Sequence, residues 1–204
     1  MKKIIKTMKI SALSALFVII SQVIYAQVQY KLDAKNSSMV IKGTSTIHDW
    51  EMKVGEMKSA FSLSSGNIFE DKLTGGDFLV NVESIKSEHS LMNKKTYEAL
   101  KKEKFPQIRA KVIKAEQSPN SGKVQVELSI AGKTKLVEED IHLKDLGNGR
   151  VEMKGSLDLK MSEYGIEPPV ALMGSIKTGD EVKIEFNLVY SREGQLLGEA
   201  GRNK

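Results

Sequence analysis

Apolar and polar residues alternate along most of this chain, with the two-residue repeat of β-strands that bury one face. The segment 151–161 shows this pattern without a break. Its apolar residues Val151, Met153, Leu157, Leu159 and Met161 all share one parity, and polar residues fill the other parity. The pattern predicts a strand with one dry face.

The same alternation recurs through the chain and predicts eight or nine strands. The further strands are expected within 28–33, 37–54, 57–69, 75–84, 108–112, 124–130, 135–143 and 182–188. Within 37–54 the apolar parity changes between Ile41 and Trp50. A glycine inside a strand often marks a bulge, so Gly43 predicts a β-bulge there.

One segment lacks this alternation and predicts an inserted helix. Residues 91–104 contain neither Gly nor Pro and are rich in helix formers, with Ser90 as the expected N-cap and Phe105-Pro106 as the expected end. At helical spacing, four neighbouring residues form one modest apolar face: Met92, Thr96, Ala99 and Leu100. Many one-faced strands with a single helix predict an all-β antiparallel barrel, with a β-sandwich as the alternative.

The two ends of the chain differ from the strand-rich middle. Lysines followed by a short apolar run and Ala26 predict a signal peptide over 1–26, with a retained anchor helix as the alternative. Residues 27–190 are the predicted barrel domain, and the polar segment 191–204 is a predicted flexible tail. The chain has no Cys, which excludes disulfides and lipid-modified cysteine. We therefore expect a periplasmic or secreted protein without a stable membrane anchor after cleavage.

Charge gives no support for nucleic-acid binding. The chain has 31 basic and 26 acidic residues, but four of the lysines lie in the predicted signal peptide, which holds no acid. The remainder is almost neutral, and its lysines are spread over the polar faces of many strands. A nucleic-acid interface needs a concentrated basic surface.

The residues offer little for catalysis or metal binding. The three histidines, His48, His89 and His142, lack metal-ligand spacing, so no metal or cofactor is expected. The segment with Ser45, His48 and Asp49 suggests a hydrolase, but adjacent strand residues point to opposite faces and cannot form a triad. We interpret it as a bulged strand that is held by polar side chains.

Four longer segments resemble the YceI family of exported polyisoprenoid-binding proteins over about residues 28–190. They are YKLDAKNSSMVIKG, KKEKFPQIRAKVIK, VQVELSIAGKTKLVEEDIHL and LDLKMSEYGIEPPVALMGSIKTGDEVKIEFNLV. The resemblance implies an eight-stranded antiparallel, lipocalin-like barrel that binds an isoprenoid quinone, a polyisoprenoid or a fatty-acid derivative. The segments 43–51 and 171–174 depart from the family pattern, so the pocket mouth and its ligand are expected to differ.

The pattern itself leaves open whether the barrel is hollow or filled, since eight strands allow both. Small residues on apolar faces (Thr46, Ala110 and Gly155) and several methionines favour a cavity. The predicted pocket lining is Met39, Trp50, Met52, Phe61, Phe78, Met92, Leu128, Met153, Leu157, Met161, Tyr164, Met173 and Phe186. The apolar loop 164–173 is a candidate lid.

The sequence therefore predicts a non-enzymatic, exported binder of a hydrophobic small molecule. Micromolar binding through apolar burial alone needs roughly 15 buried carbons, which a prenyl or acyl chain supplies. Two alternatives remain at this point: a hydrolase or isomerase that uses His48, and a ligand-free structural or interaction module. The oligomeric state is open, with a homodimer among the alternatives.

Overall fold

The computed structural model describes residues 27–63, 67–68, 73–118 and 120–193. Its β-strands are β1 (Val28–Leu32), β2 (Ser38–Ser45), β3 (Trp50–Val54), β4 (Met57–Leu63), β5 (Leu73–Asn81), β6 (Ile85–Lys86), β7 (Gln107–Ser118), β8 (Ser121–Ile130), β9 (Lys133–Gly147), β10 (Arg150–Lys160), β11 (Val170–Ala171) and β12 (Ile176–Arg192). The α-helix α1 spans Ser90–Ala99. Short 3-10 helices span Ala34–Asn36, Val82–Ser84, Met161–Tyr164 and Leu172–Gly174.

These segments form a closed antiparallel barrel of eight strands. Three of the eight are bent, and each is assigned as two segments: β1 with β2, β3 with β4, and β5 with β6. The first bent strand pairs with the second, which pairs with the third. The order then runs through β7, β8, β9 and β10 to β12, which closes the barrel against β2 and β1. The predicted fold class is confirmed.

The parity change within 37–54 comes from a hairpin, so the predicted bulge at Gly43 is wrong. The chain reverses between β2 and β3, and Ile41 then pairs with Met52 while Gly43 pairs with Trp50. Directly paired residues share one face of a sheet, so all four lie on the inner face. A Cβ on Gly43 would lie 2.2 Å from Cζ2 of Trp50. The glycine makes room for the indole ring.

Both predicted ends of the helix differ from the structure. Ser90 is the first helical residue, and His89 occupies the N-cap position without a side-chain hydrogen bond. The entry is held by Asn93, whose Oδ1 accepts from the amide of Ser87 at 2.7 Å. The helix ends at Ala99 because the following turn takes Lys101 into the left-handed region, with a φ of 54°.

One half of the barrel is filled by its own side chains. The rings of Tyr30 and Phe61 stack with centroids 5.3 Å apart, and the Tyr190 ring packs edge-on against Phe61 at 4.8 Å. Above them, a Cβ on Gly155 would lie 2.5 Å from the ring of its strand partner Phe186. This small residue therefore accommodates a core aromatic side chain instead of enlarging a cavity. We call the region of Tyr30, Phe61 and Tyr190 the filled half.

The ends of the barrel domain differ slightly from the expectation. Ser191 and Arg192, predicted to begin the flexible tail, belong to β12, and Ser191 is buried. The predicted signal peptide and residues 194–204 lie outside the described residues. No helix in the described part of the chain is sufficiently long and apolar to cross a membrane.

Candidate ligand-binding cavity

The barrel half that faces α1 contains a cavity of about 460 Å³. The strands β2, β3, β10 and β12, the helix α1 and the segment 161–171 together form most of its wall. The wall is mainly aliphatic, and it includes Ile41, Met52, Ile85, Ile108, Ile130, Leu159, Val182 and Ile184. Tyr30, Phe61 and Tyr190 are not among its lining residues, so the filled half forms a floor beneath it.

Three hydrogen bonds hold the helical segment over the barrel. Thr96 Oγ1 donates to Met52 Sδ at 3.2 Å, which links α1 to the inner face of β3. Tyr97 Oη donates to the backbone carbonyl of Glu83 at 2.9 Å, in the 3-10 helix at the bend between β5 and β6. After the helix, Lys101 Nζ donates to the carbonyl of Gly165 at 3.3 Å. The helix is thus a fixed wall of the cavity, tied to two strands and to the loop after β10.

The mouth of the cavity combines apolar and basic side chains. Ile47, Leu91 and Val170 line the cavity and are also more than half exposed, at 60%, 57% and 51%. Lys95 and Lys160 are the charged lysines of the lining, and no described lining residue is acidic. His48 and His89 also lie in the lining. A ligand that enters here passes from a cationic, partly apolar rim into an aliphatic interior.

The predicted pocket residues separate into three groups. Five of them line the cavity: Trp50, Met52, Met92, Met161 and Tyr164. Seven pack into the two apolar cores without lining it: Met39, Phe61, Phe78, Leu128, Met153, Leu157 and Phe186. Met173 is fully exposed and lines nothing, contrary to expectation. Alternation identifies the inward face of a strand, but it cannot distinguish the filled half of the barrel from the hollow half.

Several lining residues were missed because they lie outside the regular strands. Ile47, Ile166 and Pro169 come from turns and loops, where no periodic pattern marks a buried position. The candidate lid is divided in two. Tyr164 and Ile166 are buried in the wall, whereas Leu172 and Met173 project outward.

Residues that carried the family resemblance meet at one place next to Tyr164 of the cavity wall. The ring of Phe105 covers Gly132, where a Cβ would lie 2.3 Å from the ring and φ is +85°. Lys133, next in the chain, lies so close to Gly165 that a Cβ there would be 2.9 Å from Nζ. Beside them, burial raises the pKa of the Tyr164 hydroxyl above its ordinary value. The motif residues thus pack the segment after α1 against two turns.

A further motif residue, Asp180, holds the turn that follows β10. Its carboxylate accepts from the amide of Ser162 at 2.8 Å and from the hydroxyl of the same residue at 2.5 Å. These hydrogen bonds lower the pKa of Asp180 below its ordinary value. The turn carries Met161 and Tyr164 into the cavity wall, so Asp180 fixes part of the wall from outside.

The polar segment between β2 and β3 forms a turn and no catalytic triad. Ser45 Oγ donates to the carbonyl of His48 at 2.7 Å. The His48 Nδ1 lies 2.7 Å from the backbone carbonyl of Asp49, an acceptor, so this nitrogen carries the proton. The side chains of Ser45 and His48 therefore bond to backbone carbonyls of the same turn. The described residues contain no cluster of three or more metal-ligating side chains.

Comparisons with known proteins agree with this architecture. The model of the YceI-like domain family matches residues 30–190. Among solved structures, BcnA of Burkholderia cenocepacia is similar with a TM-score of 0.64 and 16% identity, over 78% of this chain and 98% of that one. None of the curated proteins gives a significant match.

Two further structures show the same fold. A polyisoprenoid binding domain from Saccharophagus degradans, implicated in plant cell wall breakdown, has a TM-score of 0.63 and 13% identity, over 80% of this chain and 98% of that one. The YceI protein of Campylobacter jejuni has a TM-score of 0.57 and 15% identity, over 70% and 84%. The family model covers most of the chain, and the predicted family is confirmed: the chain belongs to the YceI-like family.

Proposed function

We propose that this protein binds and carries a long-chain amphiphile in its cavity and catalyses no reaction of its own. The ligand is an isoprenoid quinone, a polyisoprenoid or a fatty-acid derivative. One observation carries the proposal: a cavity of about 460 Å³ with a mainly aliphatic wall, closed below by the filled half and open at one mouth. This volume falls in the range of about 300–1,000 Å³ that is typical of small-molecule sites.

The energetics favour a long apolar chain over a small polar metabolite. Each buried CH2 contributes about 0.8 kcal/mol, and micromolar affinity needs about 8 kcal/mol beyond association costs of at least about 4 kcal/mol. A chain of roughly 15 carbons supplies this without any polar contact. Since the lining contains few polar groups, a small polar ligand would lose its hydration without replacement.

Two further features support the proposal. The domain from Saccharophagus degradans with the same fold is described as polyisoprenoid binding. The N-terminal 26 residues have the pattern of a signal peptide, and on that basis we propose that the protein acts in the periplasm or outside the cell. A carrier in such a compartment would move lipids between surfaces that water separates.

Mass spectrometry of an organic extract of the purified protein tests the proposal. A co-purified prenyl or acyl lipid is expected in about stoichiometric amount, or uptake of added menaquinone, polyprenol or fatty acid after delipidation. Ala99→Phe is the informative variant because Ala99 lines the cavity. The ring adds about six heavy atoms there, displaces about five methylenes of the ligand, and lowers affinity about 10³-fold.

Leu136→Phe is the matched control, since it places the same ring on an exposed position of β9 outside the cavity. It should retain lipid like the original protein. The proposal fails if the original protein neither contains nor takes up any of these lipids. It also fails if Ala99→Phe retains as much lipid as Leu136→Phe.

A further inference from the structure

Exposed apolar side chains concentrate around the mouth of the cavity. Of the large hydrophobic residues that are exposed in the described part of the chain, five belong to segments at the mouth. They are Ile47, Leu91, Val170, Leu172 and Met173, and Met173 is exposed at 108%. We call these five residues the apolar rim. The other three, Ile113, Leu136 and Leu146, lie singly on β7 and β9.

The apolar rim is one surface, although it comes from three segments. Thr46, beside Ile47, makes two hydrogen bonds with the segment after Met173: its amide donates to the carbonyl of Lys177 at 3.0 Å. In return, the amide of Lys177 donates to Thr46 Oγ1 at 3.2 Å. Ile47, Leu91 and Val170 all line the same cavity mouth. Exposed apolar surface of this kind marks a contact with a membrane or a partner protein, or the entrance to a ligand site.

The backbone at the tip of the apolar rim is held in an uncommon conformation. Leu172 and Met173 have φ values of 48° and 54°, the left-handed region that non-glycine residues rarely adopt. The amide of Ser175 donates to the carbonyl of Leu172 at 3.1 Å and closes this turn. Strain of this kind persists where it serves a function. Here it projects two large apolar side chains into solvent.

Basic side chains lie among the apolar rim, although Asp49, Glu88 and Glu167 of the same segments are also exposed. Lys95 and Lys160 lie in the cavity lining, which contains no described acidic residue. Their acidic partners, Glu98 at 3.3 Å and Glu181 at 3.6 Å, are exposed. Exposed ion pairs are weak, so both lysines can exchange these partners for lipid phosphates. Lys177, the strand partner of Val170, adds a further exposed cation.

We propose that the apolar rim docks onto a bilayer that contains anionic lipids, with the cavity mouth facing the membrane. The protruding apolar side chains enter the boundary between headgroups and acyl chains, and the lysines contact the phosphates. A long chain then passes between bilayer and cavity without crossing water. This inference rests on the proposed function, because it assigns the membrane as the source or acceptor of the bound lipid.

The variant Leu172→Asn/Met173→Asn tests docking separately from lipid binding, because neither residue lines the cavity. Asparagine tolerates the left-handed region, so the turn keeps its conformation while the apolar side chains are removed. Ile113→Thr/Leu136→Thr is the control, since it removes as many exposed apolar side chains from the outer strands. All proteins carry the same N-terminus, so any contribution from residues 1–26 cancels. Thermal melting verifies that each variant is folded.

Two measurements then decide the proposal. In flotation with vesicles of phosphatidylcholine and phosphatidylglycerol, the original protein and the control should bind, and the Leu172/Met173 variant should bind at least tenfold more weakly. Lys177→Gln should lower binding to these vesicles about fivefold and leave binding to pure phosphatidylcholine unchanged. In the Leu172/Met173 variant, menaquinone uptake from vesicles should be slower because docking is weaker. The final occupancy measured by mass spectrometry should equal that of the original protein.

The docking proposal is overturned if the original protein does not float with anionic vesicles, or if the Leu172/Met173 variant and the control bind alike. If the protein contains lipid but does not bind vesicles, docking is overturned and the proposed function stands. Vesicle binding by a protein that never loads a lipid would overturn the proposed function instead.

Discussion

Replacing Gly43 by alanine should destabilise the protein through one contact, with the indole ring of Trp50. The added methyl group would lie 2.2 Å from Cζ2 and 2.6 Å from Cε2 of this ring. The ring must therefore move away, and its Nε1 would lose the hydrogen bond to the carbonyl of Thr44, now 2.9 Å long. Overpacking of this kind costs about 1–3 kcal/mol, and the lost hydrogen bond accounts for about 0.5–1.5 kcal/mol of it.

A double-mutant cycle isolates this contact. In the background of Trp50→Ala no ring opposes the new methyl group, and Gly→Ala within a strand should then stabilise by about 0.5–1 kcal/mol. The coupling free energy between the two positions should therefore reach about 2–4 kcal/mol. Chemical denaturation of the four proteins measures it. In thermal melting, a loss of about 2 kcal/mol corresponds to about 4–8 °C for a chain of this length.

Fluorescence provides a second and independent readout, because Trp50 is the only tryptophan in the chain. Its emission should shift in Gly43→Ala as the ring leaves its position over the glycine. If Gly43→Ala costs as much stability in the Trp50→Ala background as in the original protein, the reasoning is refuted. An unchanged emission spectrum together with an unchanged melting temperature would refute it equally.

Further predictions concern backbone conformation, pH dependence and the wall of the cavity. Gly132→Ala should destabilise far more than Gly75→Ala, since both have positive φ but only Gly132 lies under an aromatic ring, and urea denaturation compares them. Burial raises the pKa of Tyr190 to about 12, so its contribution to stability is complete below its ordinary value near 10 and is lost as pH rises through 12. Denaturation at pH 9 and at about pH 12.5 should show a loss of about 2–3 kcal/mol that Tyr190→Phe lacks, and an equal loss in both proteins would contradict this. The hydrogen bonds that lower the pKa of Asp180 contribute stability above its ordinary value, which is lost as pH falls through the lowered value. Acid unfolding should thus be less steep for Asp180→Asn, and identical acid transitions would exclude this role.

The barrel could be predicted from the sequence because alternation reports directly on strands with one buried face. The same signal could not distinguish a bulge at Gly43 from a hairpin between Ser45 and Trp50. Both change the parity of apolar residues, and only strand pairing separates them. The end of α1 could not be predicted either. Lys101 belongs to a segment rich in helix formers, and only its left-handed backbone conformation shows that the helix has ended before it.

The cavity was predictable only in part, since it depends on contacts between distant strands. The small size of Gly155 predicts free space in the barrel, but the ring of its strand partner Phe186 fills that space. Met173 reads as an apolar loop residue, and its exposure depends on a backbone conformation that no composition reveals. Alternation predicts Trp50 and Met52 as inward residues of a regular strand, and they line the cavity because that strand segment lies in the hollow half.

The filled half limits how deeply a bound chain can enter the barrel. For a bound chain, the stacked rings of Tyr30 and Phe61 with Tyr190 would set the deepest position that a terminal methyl group can reach. Affinity should then grow with chain length only until this depth is occupied, after which each further carbon stays outside and contributes nothing. Selection among lipids would thus depend on length, and a smaller side chain at Phe61 would move the limit to longer chains.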